Sequence, residues 1–192
     1  MRRAACLALL LLAAPALASD CGSPLPAPTA GDEPPIDFCE ESPTRQHFAP
    51  AGWEDSYHDW HYSPVVVVGE TVIVSGIPAA VGDTYEAKVR WMFEQLEAHL
   101  EAAGASLADV VELTTFHATP KSTEEFRAEF ARFAPIHHEY FPDHYPAWSA
   151  VGTTALLAKD APVEMRAVAI RGSGKRPHAP IARPTPAVPH SE

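Results

Sequence analysis

Apolar and polar residues alternate with a period of two along Ser149–Thr154 and again along Val163–Ile170, and both runs are rich in β-branched side chains. That pattern predicts two strands, and the short polar link Lys159–Asp160 predicts that they are neighbours. Two further β-branched runs, Val65–Val68 and Thr71–Ser75, flank the dipeptide Gly69-Glu70 and predict a hairpin that Gly76 and Pro78 bring to an end. Asp109–Ala118 (DVVELTTFHA) alternates in the same way and predicts another strand. Helical spacing takes over elsewhere. Val89, Met92, Phe93, Leu96, Leu100 and Ala103 recur at steps of three and four, between an Asp83/Glu86 capping box and the stop residue Gly104. A second helix opens with Ser122 and Glu125 and carries Phe126, Phe130 and Phe133. Pro135 should break or kink it, because proline lacks the amide hydrogen and its ring clashes with the preceding turn. Ile136–Tyr145 is then expected to be an irregular turn.

The order strand, strand, helix, strand, helix, strand, strand predicts an α+β layer, in which two helices cover one face of a mainly antiparallel sheet. The other face would be left open and rich in valine, a surface suited to self-association. With 192 residues the chain is bounded to one domain with appendages. The domain is expected over residues 52–171. Residues 1–18 read as a secretory signal: Arg2 and Arg3, the apolar run Leu7–Ala14, and the small-x-small site Ala16-Leu17-Ala18. Residues 19–51 read as a Pro-rich extended arm, and residues 172–192 as a disordered Pro-rich tail.

Charge and compartment follow. Removing Arg2 and Arg3 from the 14 basic residues leaves 12 against 25 acidic ones, a mature net charge of −13. Such a surface repels phosphate backbones, so nucleic acid is not an expected partner. No membrane partner is expected after signal cleavage, and the location would be periplasmic or secreted. Cys21 and Cys39 remain in the exported chain and invite a disulfide. His58, His61, His137, His138 and His144 are the candidate metal ligands, but their spacing does not match a tight structural zinc site, and no metal is expected. Glu164 is the single acidic residue inside the Val163–Ile170 run; it is either a solvated strand residue or the acid of a lined pocket. Arg166, two residues on, shares its strand face. Trp148 stands at the mouth of the preceding run, beside Ser149, and any chemistry is expected between Trp148 and Glu164.

Tyr62-Ser63-Pro64, Val74-Ser75-Gly76, the run from Ala102 to Val111, Pro146-Ala147, and Val163-Glu164-Met165 ahead of Ala167–Ile170 occur in an order that resembles the RidA (YjgF/YER057c) family over Trp60 to Arg171. The resemblance implies a chorismate-mutase-like fold assembled as a homotrimer, with small-molecule clefts between subunits. Many members hydrolyse reactive enamines and imines, such as 2-aminoacrylate, to keto acids and ammonia without metal or cofactor. It also implies that Glu164 positions a water and that Tyr62 and Ser75 line the pocket. Deaminating members carry an arginine directly after Pro-Ala, where it grips the substrate carboxylate. Here that position is Trp148, and an indole cannot do this. The chain thus looks like a divergent exported member with an altered substrate, its pocket drawn from Glu164, Tyr62, Ser75, Trp148, Ser149 and Arg166. The alternative is a non-catalytic ligand-binding or scaffold trimer.

Overall fold

Four valines, Val65–Val68, form strand β2, which turns back through Gly69 at φ 59° into β3, Thr71–Pro78. In the computed structural model, which describes residues 44–177 and 181–182, this hairpin lies near one side of a six-stranded sheet. The remaining elements are β1 (Arg45–Phe48), α1 (Glu54–His58), α2 (Tyr85–Ala102), β4 (Val110–His117), α3 (Thr123–Tyr140), β5 (Ala147–Gly152) and β6 (Val163–Ile170). The strand order is β1-β2-β3-β6-β4-β5, antiparallel except for the β4–β5 pair. The expected signal, Cys21 and Cys39 lie outside the described residues.

Helices α2 and α3 pack on one face. Along β6, Val163, Met165, Ala167 and Ala169 are buried beneath them, while Glu164, Arg166, Val168 and Ile170 alternate onto the open face. Phe93 of α2 and Phe133 of α3 meet over the sheet at 5.8 Å between ring centroids. Both helices are capped by hydroxyls. Ala87 N–H donates to Thr84 Oγ1 (3.1 Å), so α2 starts from Thr84 and not from Asp83. Glu125 N–H donates to Ser122 Oγ (3.2 Å) at the start of α3.

Several expectations are corrected. The last two strands are not neighbours: β4 lies between β5 and β6. The link from β4 to β5 runs through α3, and a strand–helix–strand crossover returns parallel, beside the strand it left. Pro135 does not end α3, which continues to Tyr140. Buried Phe133, Ile136 and Phe141 carry the apolar stripe across the proline, and this packing outweighs one lost backbone hydrogen bond. Within the expected Pro-rich arm, Arg45–Phe48 pairs with Val65–Val68 as an edge strand. At the other end, Ser173–Lys175 forms a turn of 3₁₀ helix tied down by Gly174 N–H donating to Asp109 Oδ1 (2.9 Å).

Candidate active site

Gly76 lies inside β3, not at its end. Its strand register against β6 shifts between Val74 and Ile77, which marks a bulge. There the backbone comes so close to β6 that a Cβ on Gly76 would overlap the Glu164 carboxylate. The glycine is therefore the seat of the acid, a role not read from the sequence, although a glycine within a β-branched run is the signal of such an approach. A methyl group here must push Glu164 aside. Because the displaced atoms are the tip of a flexible side chain, Gly76→Ala is expected to change urea-unfolding stability by less than about 1 kcal/mol while weakening whatever the site does.

Glu164 is half-buried at one end of the open face. Its side chain lines a cleft of about 510 Å³ with Trp53, Trp60, Tyr62 and Ser75. Among the described residues no basic side chain forms an ion pair with it. Burial without a compensating cation raises its pKa above the ordinary carboxylate value, because the charged form loses water and gains no partner. Ser75 donates its hydroxyl proton to the Ser63 carbonyl (2.7 Å), so its oxygen faces the cleft as an acceptor. Short helix α1 folds the aromatic wall into place. Tyr62 N–H donates back to Ser56 O (3.1 Å), and Trp53 Nε1–H to Gln95 Oε1 (3.0 Å).

Three other expected site residues lie elsewhere in the chain. Trp148 is in register with Leu113, whereas Glu164 is in register with Phe116, so the two side chains are on opposite faces of the sheet. The indole is stacked on His137 (centroids 4.3 Å apart, 12° between planes) and on Phe130 (5.0 Å) under α3. One copy of the chain cannot bring Trp148 and Glu164 together. Ser149, Thr114 and Arg166 form a cross-strand row on the open face, away from the cleft lining. Arg166 faces Glu112 at 3.7 Å, an exposed pair that contributes about 0–1 kcal/mol.

Sequence reading also missed a buried polar row beneath Trp148. Its Nε1–H donates to Thr115 Oγ1 (3.1 Å), Thr115 Oγ1 meets His117 Nε2 (3.0 Å), and His117 Nδ1 meets Glu129 Oε1 (2.7 Å). Because a carboxylate only accepts, Nδ1 carries the hydrogen. Thr115 and His117 are fully buried, so this acid–imidazole–hydroxyl row orients Trp148 and offers no nucleophile to a ligand. Beyond Trp148 at the sheet edge, Lys121, Phe126, Ala150 and Gly152 line a larger open groove of about 1000 Å³. Among the described residues no group of three or more His, Cys, Asp or Glu side chains converges.

The family model described as Endoribonuclease L-PSP matches residues 57–171, and the chain belongs to this family, the YjgF/RidA proteins. It is 31% identical over 122 residues to the RutC family protein YjgH of Escherichia coli, covering 60% of this chain and 88% of that protein. It is also 34% identical over 119 residues to the 2-iminobutanoate/2-iminopropanoate deaminase of Salmonella typhimurium, covering 57% and 87%. Among solved structures, YjgH superposes with a TM-score of 0.57 at 28% identity, over 66% of this chain and 96% of that one. A YjgF/YER057c/UK114-family protein from Mycobacterium tuberculosis gives 0.56 at 29%, over 66% and 99%. The α+β fold is thus that of the YjgF family.

Proposed function

We propose that the protein hydrolyses a reactive imine or enamine to a carbonyl compound and ammonia, using a water activated by Glu164. The observation that carries this reading is an unpaired, half-buried carboxylate facing an aromatic cleft, in a family with a relative named as an iminobutanoate and iminopropanoate deaminase. In the ionised state Glu164 takes a proton from water, and the new hydroxide oxygen bonds to the imine carbon. That proton passes to nitrogen, the hydroxyl proton of the resulting adduct follows it to nitrogen, the C–N bond breaks, and ammonia leaves as the carbonyl forms. An enamine enters the same route after protonation at carbon. No metal or cofactor is required by these steps. General-base assistance of this kind supplies roughly 10²–10⁴-fold.

The proposal includes assembly as a homotrimer and export to the periplasm or medium. Val66, Ile73, Val168 and Ile170 leave an apolar open face on the sheet. Seating that face on a neighbour would also allow one copy's Trp148 edge to complete another copy's Glu164 cleft. A ribonuclease role, which the family's description names, is opposed by the net charge of −11 and by a cleft lining without lysine or arginine. The second reading, a small-molecule-binding or scaffold trimer, is favoured by one observation: Trp148 packs as a core residue where deaminating relatives would have a carboxylate-gripping arginine. The deciding experiment is ammonia release from freshly generated imines by the purified full-length protein. Release above the uncatalysed rate supports hydrolysis; binding without release supports the scaffold.

A further inference from the structure

The cleft has an aromatic wall, of which Trp60 and Tyr62 fall inside the family match and Trp53 ahead of it. The matched region begins at residue 57, so Trp53 and the start of α1 lie outside it. Trp53 precedes α1, and Trp60 and Tyr62 follow it, so one short helix bends two indoles and a phenol around Glu164. The helix end is closed by Asp59 N–H and Trp60 N–H, both donating to Asp55 O (2.8 and 3.2 Å). Trp53 is fixed from behind by Gln95 and by the edge-on ring of His99 at 4.6 Å. Trp60 is 67% exposed and Tyr62 39% exposed, large aromatic surfaces left open at the cleft mouth.

We infer that this cleft is an aromatic cage for a compact organic cation. For the reaction proposed above, on which this part rests, the substrate is a protonated imine derived from a simple amine and bearing no carboxylate. Aromatic faces attract cations through their quadrupole, and tryptophan does so most strongly. Among the described residues of the chain the lining contains one charged group, the Glu164 carboxylate, and no lysine or arginine to receive an anion. A 2-imino acid would bring its carboxylate against Glu164 with no cation of this lining to neutralise it, whereas an iminium brings the opposite charge. The overall charge of −11 likewise favours the approach of a cation. The balance of the step is simple: an iminium R₂C=NH₂⁺ and one water give R₂C=O and NH₄⁺. Glu164 borrows one water proton and returns it to nitrogen, the hydroxyl proton of the adduct leaves to the departing ammonia as the carbonyl forms, and Glu164 ends as it began.

The test is a titration of the full-length protein, followed by tryptophan fluorescence, with three probes. These are choline, its neutral isostere 3,3-dimethylbutan-1-ol, and the anion 2-oxobutanoate. Choline is expected to bind about tenfold more tightly than the isostere, and 2-oxobutanoate no more tightly than the isostere. Trp60→Ala, at an exposed position that the fold does not need, should remove most of that preference, and Glu164→Gln should reduce it further. Equal affinities, no binding by any probe, or tighter binding of 2-oxobutanoate would overturn the cage. Ammonia release measured alongside, from benzaldimine (PhCH=NH) and from 2-iminobutanoate, separates the two proposals. Cation preference without turnover keeps the cage and removes the hydrolase; turnover without cation preference does the reverse.

Discussion

Glu164→Gln is expected to lower the turnover number for imine hydrolysis by roughly 10²–10⁴-fold, the contribution of a positioned general base. Stability should move the other way or not at all. A carboxyl whose pKa is raised on folding contributes stability below its unfolded pKa and loses it as pH rises through the folded value. At neutral pH the ionised Glu164 is therefore a cost, and a neutral amide of the same shape relieves it. Loss of turnover with an unchanged or higher Tm is the signature of an acid kept for function and not for folding. A lower Tm together with unchanged turnover would make Glu164 an ordinary strand residue.

The second large effect is on acid stability and comes from His137. Burial pushes its pKa down to about 4 from 6.5, with His138 and His144 adding to the shift. Among the described residues neither ring nitrogen has a hydrogen-bond partner, and the ring is stacked against Trp148. The sign is that of a buried neutral histidine. As pH falls below about 6.5 the unfolded chain takes up a proton that the folded chain refuses, so stability falls until about pH 4. With about 1.4 kcal/mol per pH unit, the loss over that window is about 3 kcal/mol. His137→Phe keeps a ring against Trp148 and removes the titration. Urea unfolding across pH 4–7 should then show a flatter stability profile in the variant, whatever its absolute stability; parallel profiles would exclude His137 as the source.

Legibility in the sequence followed burial. Strand β2 could be read because four β-branched residues stand before a glycine turn, and β6 because Val163–Ile170 alternates buried and half-exposed side chains along its whole length. Strand β1 could not, since Arg45-Gln46-His47 are all exposed and show no apolar alternation, and the strand is placed mainly by backbone pairing with β2. Helix α1 has five residues, too few to show a period of 3.6. The β5–β6 adjacency failed because chain neighbours were read as sheet neighbours, while α3 dictates a crossover. At the site, Glu164 stood out as one acid in a β-branched run. The packing of Trp148 under α3 was not legible, because β5 is an edge strand with few buried positions, so its alternation carries little information about direction. The Thr115–His117–Glu129 row was invisible, since Glu129 and His117 are brought together only by the docking of α3 on β4.

The central claim is that Glu164 is the base. Its most direct test is the pH dependence of kcat/KM for a freshly generated imine, corrected for the uncatalysed rate. Activity should be full while Glu164 is ionised and fall as pH drops through a single ionisation lying above the ordinary carboxylate value, with that limb absent in Glu164→Gln. An acid limb that persists unchanged in the variant, or a profile with none, would contradict it.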